Sequence, residues 1–145
     1  MTNLRLEVGR DSYLRAASSY IRMRVFVLEK KIALADEFDQ NDTSDTIYSV
    51  LFDGSRPVAT ARLLMEDTET ARIGRVATIE EYRGKQLGSR VVRALEDLAK
   101  TQKFKQILIH AELSAAGFYE NLGYHKKGEP YEEDGVPCIT LVKNC

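Results

Sequence analysis

Residues 76–89 read VATIEEYRGKQLGS, in which an apolar run leads through a polar loop with two glycines into an amphipathic helix. The first backbone N–H groups of a helix have no partner within it, and the helix dipole makes that end electropositive. Glycine lets a phosphate approach the backbone closely, and Arg83 and Lys85 add positive charge. The loop matches neither G-x-x-x-x-G-K-S/T nor G-x-G-x-x-G, which disfavours ATP and dinucleotides as ligands. A pyrophosphate-binding loop and an ordinary loop with two surface cations both remain open.

The segments on either side of this loop predict a crossover between parallel strands. Apolar residues recur every three or four positions and predict a helix over 87–100: Leu87, Val91, Leu95, Leu98 and Ala99. The runs 71–78 before it and 107–111 after it are strand-like. A strand–helix–strand unit of this kind usually joins parallel neighbours, so we expect these two strands to be parallel. Gly74 interrupts the first of them, and such a glycine often marks a bulge or a close backbone approach.

The rest of the chain predicts one small mixed domain. A helix from Asp11 carries an apolar face that comprises Leu14, Ala17, Ile21, Val25 and Leu28. Further strands are predicted over 4–8, 46–52, 58–65, 124–131 and 136–143, and a short helix, capped by Ser114, over 115–122. The order β-α-βββ-α-β-α-ββ indicates a single α+β (mixed α/β) domain over residues 1–145. Its central sheet is expected to be mixed and mostly antiparallel, with flanking helices.

Composition excludes several classes of protein. The chain has 145 residues, of which 43% are hydrophobic and 30% charged, as in an ordinary globular domain. The formal net charge of −1 opposes a general nucleic-acid binder, which needs a basic excess. No apolar run reaches the roughly 18 residues of a membrane span, and the N-terminus does not resemble a secretory signal. Two cysteines and two histidines show no metal-ligand spacing, so we expect a cytoplasmic protein without a metal.

Several segments resemble the GNAT superfamily of acyl-CoA N-acyltransferases. The run RGKQLG at 83–88 resembles the family's Arg/Gln-x-x-Gly-x-Gly/Ala loop, and IGRVA at 73–77 its central strand. FYENLGY at 118–124 resembles its Phe-Tyr-x-x-x-Gly-Phe segment. The runs 24–29 and 132–137 are similar to the small single-domain branch often called ElaA- or YjcF-like. Two residues depart from the pattern: Gln86 replaces the middle glycine of the loop, and Cys138 replaces a histidine that is frequent in this branch.

The resemblance implies where acetyl-CoA binds. Coenzyme A would lie in a V between the strands near 73–78 and 107–111, with the pantetheine held by backbone groups around Val76 and Thr78. A backbone N–H near Val76 or Ala77 would polarise the thioester carbonyl. Tyr119 would be the general acid for the departing thiolate, although a Phe-Tyr pair on a short helix is also typical of a core aromatic. The implied cofactor-binding residues are Val76, Ala77, Thr78, Arg83, Gly84, Lys85, Gln86, Leu87, Gly88, Ser89 and Phe118.

The base for the acceptor amine is sought in an acidic segment. Residues 36–45, DEFDQNDTSD, contain five acids and no basic residue, which is typical of an exposed, solvated loop. By resemblance this loop covers the acceptor side, so Glu37 and Asp39 are the candidate bases, with Asp42 as a neighbour. Glu112 is a weaker candidate for the base, and Cys138 is a nucleophile only in principle. His110 is flanked by apolar residues, which favours an ordinary strand residue over a base.

The function implied by the resemblance is N-acetyl transfer. An acetyl group would move from acetyl-CoA to a primary amine, either a small molecule or a lysine side chain, by direct attack in a ternary complex. The alternative is a non-catalytic acyl-CoA-binding module or a subunit that binds a partner. The exposed edges of a small sheet make a homodimer plausible, and neither nucleic acid nor membrane is expected as a partner.

Overall fold

The computed structural model describes residues 3–145, and a seven-stranded sheet lies at its centre. The strands are β1 (Leu4–Gly9), β2 (Ile47–Asp53), β3 (Arg56–Met65), β4 (Thr70–Thr78), β5 (Gln106–Glu112), β6 (His125–Glu133) and β7 (Val136–Asn144). They lie in the order β1-β2-β3-β4-β5-β7-β6, and of these pairs only β4–β5 is parallel. This topology confirms the mixed, mostly antiparallel sheet and the parallel crossover predicted from the sequence.

Two long helices cover opposite faces of the sheet. The helices are α1 (Ser12–Arg22), α2 (Leu34–Glu37), α3 (Leu87–Thr101) and α4 (Ala116–Glu120), and α1 continues into a π-helical segment, Met23–Glu29. The Thr60 hydroxyl of β3 donates to Ser18 of α1, whereas the Ser49 hydroxyl of β2 donates to the Val91 carbonyl of α3. Ser49 is paired with Ala61, the neighbour of Thr60, so the two hydroxyls leave opposite faces.

The π-helical segment changes which side chains α1 directs to the core. The Lys30 N–H bonds to the Val25 carbonyl, five residues back, at 3.0 Å. Because a π turn is wider than an α turn, residues beyond it rotate away from the face set by Ile21. Val25 is still buried, but Leu28 is 60% exposed. The prediction that Leu28 belongs to the core face is therefore wrong.

β4 and β5 separate after a short stretch of pairing. Residues 70–72 pair with 106–108, and the register ends there. Beyond this point β4 stays paired with β3 as far as Thr78, and β5 stays paired with β7 as far as Glu112. The two strands thus form a V, and the backbone groups on its inner edges have no ladder partner.

A bulge in β4 lies on the open side of the V. Arg62 is paired with Gly74 and Thr60 with Ala77, so β4 has one more residue than β3 between these pairs. Arg75 adopts a left-handed backbone conformation with φ of 54° to accommodate it. The irregularity predicted at Gly74 is confirmed, with the left-handed residue one position later.

Two local predictions outside the sheet need correction. Residues 36–45 are only in part an exposed loop, because Asp36 and Glu37 end α2, Glu37 is only 3% exposed, and Asp39 and Asp42 in the loop that follows are half-buried. The short helix α4 begins at Ala116 and has no side-chain cap. Ser114, the predicted cap, instead lies in the 3₁₀ turn Leu113–Ala115.

Candidate active site

The loop before α3 presents a row of unpaired backbone donors. Gly84 and Gln86 both adopt left-handed conformations, with φ of 79° and 62°. Within residues 3–145, the N–H groups of Gly84, Lys85 and Gln86 donate no hydrogen bond. α3 begins at Leu87, so its first N–H groups are free as well. Consecutive free donors at the positive end of a helix dipole form an anion-binding surface.

Arg83 ties this loop to the end of the π-helical segment. Its guanidinium donates two hydrogen bonds to the Glu29 carboxylate, at 2.7 and 2.8 Å, and its Nε donates to the Thr78 carbonyl at 2.9 Å. The hydrogen bond from Arg83 lowers the pKa of Glu29. The positive charge of Arg83 is therefore partly compensated, and Lys85 has no ion-pair partner within residues 3–145.

The left-handed conformation of Gln86 leads to a stability prediction. A side chain at positive φ costs about 1–2 kcal/mol that glycine does not pay. We therefore expect Gln86→Gly to raise the free energy of unfolding by about 1 kcal/mol in urea denaturation. Lys85→Gly is the matched control, because the φ of Lys85 is not positive and glycine there only adds chain entropy. Equal destabilisation by both substitutions would contradict the prediction.

A main cleft of about 850 Å³ opens beside the loop. β4, the start of α3, α4 and the π-helical segment form its walls. Of the implied cofactor-binding residues, all except Lys85 line it: Val76, Ala77, Thr78, Arg83, Gly84, Gln86, Leu87, Gly88, Ser89 and Phe118. A Cβ on Gly88 would lie 3.4 Å from Phe118, so the glycine lets this ring pack on the helix start.

Tyr119 also lines the main cleft, with its ring in the core. The ring packs edge-on against Phe118 and Tyr124, at centroid distances of 4.9 and 5.9 Å. Burial raises the pKa of Tyr119 to about 12, so the phenol keeps its proton at neutral pH. The Tyr124 hydroxyl donates to Glu96, whereas the Tyr119 hydroxyl makes no hydrogen bond within residues 3–145. Within residues 3–145, Arg62 Nε is the one side-chain N or O atom that is both buried and without a hydrogen-bond partner. Since the Tyr119 hydroxyl has no partner either, it must be accessible to solvent.

Residues 15–124 match the Acetyltransferase (GNAT) family. The chain belongs to this family. An uncharacterized acetyltransferase from Streptococcus pyogenes is 44% identical over 110 residues, which cover 76% of this chain and 75% of the relative. A crystal structure from Lactobacillus plantarum superposes with a TM-score of 0.94 at 35% identity, over 99% of both chains. Escherichia coli ElaA gives a TM-score of 0.84 at 27% identity, over 97% of this chain and 99% of ElaA.

As a GNAT acyl-CoA N-acyltransferase, the protein uses an acyl-CoA donor, and the main cleft is lined by more residues than were predicted to bind the cofactor. The additional lining residues are Val25, Phe26, Lys30, Tyr82, Arg93, Ala115, Asn121 and Leu122. Phe26 lies inside the run 24–29 that resembles the small GNAT branch, and this resemblance could have suggested that it lines the cleft. Lys30 lies beyond that run, and no pattern in the sequence directs it to a cleft.

The acidic residues predicted as GNAT bases lie in an arginine–carboxylate cluster, which comprises Arg22, Arg62, Arg75, Glu37, Asp39 and Asp42. Glu37 accepts from Arg22 Nε at 2.8 Å and lies 3.0 Å from Arg75 Nε. Burial raises the pKa of Glu37, against the influence of these arginines. Its carboxylate is enclosed by arginines, which argues against the sequence-based assignment of Glu37 as the base.

Asp39 and Asp42 complete the cluster. One Asp39 oxygen accepts from Arg62 and the other from Arg75, both at 3.2 Å. Burial opposes the charge of Asp42, but hydrogen bonds from Arg22 and Tyr48 outweigh it and lower the pKa of Asp42. Asp39 is the more exposed of the two, and neither of its oxygens is left without an arginine partner.

A second cavity of about 650 Å³ adjoins the bulge in β4. β4 contributes Val76–Thr78 to the main cleft and Arg72–Arg75 to the second cavity, so the two cavities are adjacent along one strand. His110 of β5 and Asp39 also line the second cavity. His110 Nδ1 lies 3.1 Å from the Thr140 hydroxyl, and its Nε2 makes no hydrogen bond within residues 3–145.

The structure does not favour catalytic roles for Cys138 and Glu112. Burial raises the pKa of the Cys138 thiol, which donates to the Val136 carbonyl, so a thiolate nucleophile is disfavoured. Glu112 lines neither the main cleft nor the second cavity.

No cluster of three or more His, Cys, Asp or Glu suited to a metal ion occurs in residues 3–145. None of the helices described there is long and apolar enough to cross a membrane.

Proposed function

We propose that this protein transfers an acetyl group from acetyl-CoA to a primary amine, by direct attack within a ternary complex. The observation that carries the proposal is the placement of two adjacent cavities around the β4 bulge. One of them ends at a row of free backbone donors, which suits a pyrophosphate. The other opens toward ionisable side chains, which suits an amine. The thioester carbon would then lie between donor and acceptor.

Coenzyme A would bind along the main cleft through backbone groups. Its pyrophosphate would accept hydrogen bonds from the N–H groups of Gly84 to Gly88, with Lys85 adding charge from outside the wall. Its pantetheine amides would pair with the free inner edge of β4 near Val76. The Thr78 carbonyl already accepts from Arg83, so in this proposal it positions the loop rather than the cofactor.

The reaction requires one bond to form and one to break. The neutral amine attacks the thioester carbonyl carbon, and a backbone N–H near Val76 or Ala77 stabilises the charge on the carbonyl oxygen. Collapse of the tetrahedral intermediate breaks the carbon–sulfur bond. Tyr119, protonated at neutral pH, donates a proton to the departing sulfur. The attacking nitrogen loses a proton to solvent as the amide forms, and Tyr119 regains its proton from solvent. The products are the N-acetylated amine and free coenzyme A.

His110 is the side chain we assign as base for the acceptor ammonium. It lines the second cavity, and the Nδ1 contact with Thr140 allows a tautomer in which Nε2 carries the free lone pair. Asp39 lines the same cavity, but arginines engage both of its oxygens. His110 therefore takes the place of Glu37 as the proposed base, and Asp39 is the second candidate.

Acetyl-CoA is expected to stabilise the protein through the loop before α3. At 100 times its dissociation constant, a ligand adds about 2.7 kcal/mol to the free energy of unfolding. Gly84→Val should abolish this gain in a thermal-shift assay. A Cβ at Gly84 meets no protein atom within 4 Å, so the side chain would occupy the space proposed for the phosphates.

Gly54→Val is the matched control for this assay. Gly54 also has a positive φ and open space around its Cβ, but it lies outside the lining of the main cleft. It should therefore lose stability as Gly84→Val does and keep the full acetyl-CoA shift. Release of free thiol with a panel of amines then tests catalysis, and His110→Gln should lower it without changing the shift. A shift without thiol release for any amine would instead indicate an acyl-CoA-binding module.

A further inference from the structure

Arg62 has one edge of its guanidinium without a partner. The side chain is 3% exposed, and its Nη1 donates to Asp39 and Asp42, both at 3.2 Å. Its Nε is the one buried side-chain N or O atom in residues 3–145 without a hydrogen bond, and its Nη2 donates none there either. Nε and Nη2 form the side of the guanidinium that binds a carboxylate through two parallel hydrogen bonds. An unpaired donor of this kind is costly to keep unless an acceptor arrives from outside.

Gly74 leaves open space in the cavity that Arg62 lines. It is the cross-strand partner of Arg62, and both residues line the second cavity. A Cβ on Gly74 would meet no atom within 4 Å, and its φ is not positive. The backbone therefore does not require glycine at this position. The missing side chain instead leaves room for a ligand in the part of the second cavity that β3 and β4 line.

The charges around the second cavity suit a ligand that carries both signs. Arg72 and Arg75 line it together with Arg62 on the sheet side. Asp36, Glu133 and Asp134 line it as well, and all three are exposed. The fourth lining carboxylate, Asp39, is already paired with Arg62 and Arg75. An anionic group would find the unpaired Arg62 donors at the sheet, whereas the carboxylates at the rim would favour the entry of an ammonium.

We propose that the acceptor is an amine that also bears a carboxylate, and that this carboxylate binds the Nε–Nη2 edge of Arg62. This inference rests on the proposed function, because it names the class of acceptor that the second cavity receives. The amine of such a molecule would face the V between β4 and β5, where the acetyl group is transferred. Because Arg62 also holds Asp39 and Asp42, its own replacement is a poor kinetic test, and Gly74 offers a better one.

The kinetic test compares amines that differ only in the carboxylate. β-Alanine is paired with ethylamine, 4-aminobutyrate with propylamine, and common α-amino acids with their decarboxylated amines. We expect kcat/KM about tenfold or more higher for the carboxylate member of at least one pair, since its absence leaves the Arg62 donors unpaired. Gly74→Val should remove this preference, so that the ratio of kcat/KM within the pair falls to about one, with Gly74→Ala intermediate. Equal rates within every pair, or an equal loss for both members in Gly74→Val, would overturn the proposal.

A binding measurement separates this inference from the proposed function. The Nε–H signal of Arg62 in protein labelled with ¹⁵N-arginine can be assigned by its loss in Arg62→Lys, which keeps a charge beside Asp39. It should shift on titration with the preferred amino carboxylate and not with the matching alkylamine. A shift without turnover of any amine would reject N-acetyl transfer and retain the carboxylate site. Turnover of amines without a shift for any amino carboxylate would reject the site and retain the transfer.

Discussion

Arg22→Met is expected to lower the free energy of unfolding by about 3–5 kcal/mol, which is typical when one partner of a buried ion pair is removed. The Arg22 side chain is fully buried. It donates to the Glu37 carboxylate at 2.8 Å and to the two Asp42 oxygens at 2.7 and 3.0 Å. A further hydrogen bond reaches the Glu37 carbonyl at 2.9 Å. Methionine would fill the aliphatic volume but leave two carboxylates without their principal donor.

Urea denaturation followed by circular dichroism measures this loss. Arg10→Met is the matched control, because the Arg10–Asp45 pair is long, at 3.8 Å, and both side chains are largely exposed. An exposed pair of this kind contributes about 0–1 kcal/mol. A loss below about 1 kcal/mol in Arg22→Met would mean that the cluster relaxes or hydrates without Arg22.

The same variant should change how stability depends on pH. Hydrogen bonds from Arg22 and Tyr48 hold the pKa of Asp42 below its ordinary value. A carboxyl with a lowered folded-state pKa contributes stability above the unfolded-state value, about 3.9, and loses it as the pH falls. The stability difference between the parent and Arg22→Met should therefore shrink as the pH falls. The Asp42 contribution is lost below about pH 4, whereas that of Glu37, whose pKa is raised by burial, is lost at higher pH.

The arginine–carboxylate cluster also marks where local sequence patterns stop being informative. Residues 36–45 resemble a solvated loop because their partners, Arg22, Arg62 and Arg75, come from α1, β3 and β4. No window of ten residues contains both an acid of this segment and one of its three arginine partners. One signal was present: Arg22 lies eight residues after Leu14, two α-helical steps of four, on the helix face that enters the core. A charged residue on such a face requires buried partners.

The order of elements and the main cleft were predictable for a different reason. Apolar periodicity in α1 and α3 and the crossover rule define the parallel β4–β5 pair without long-range information. The loop before α3 was recognisable because its chemistry lies in consecutive backbone groups. The loop sequence could not indicate which distant residue pairs with the side chain of Arg83. Arg83, expected to contribute charge to a phosphate, contacts Glu29, which lies 54 residues earlier in the chain.

Gln86 shows how a departure from a family pattern has a structural meaning. The position adopts φ of 62°, a conformation in which glycine is favoured. Replacing the family's glycine by glutamine therefore retains the free N–H while adding backbone strain. The sequence identifies the departure, but only the dihedral angle predicts that it affects stability.

Tyr119→Phe is expected to lower kcat by about 10²-fold, the typical contribution of a general acid. The substitution deletes the hydroxyl and keeps the ring, which packs against Phe118 and Tyr124. Folding and the KM for acetyl-CoA should therefore change little. Because a free thiol has a pKa near 8.5, coenzyme A thiolate already leaves moderately well, and a loss nearer tenfold is also compatible with this role.

Tyr124→Phe is the matched control for this measurement. Its hydroxyl donates to Glu96, and Tyr124 does not line the main cleft. It should therefore lose stability and keep kcat, whereas Tyr119→Phe should lose kcat and keep its melting temperature. Single-turnover rates with saturating acetyl-CoA and amine isolate the chemical step from product release. A single-turnover rate within twofold of the parent in Tyr119→Phe would assign its phenol to packing alone, and the proton for the leaving sulfur would then have to come from solvent.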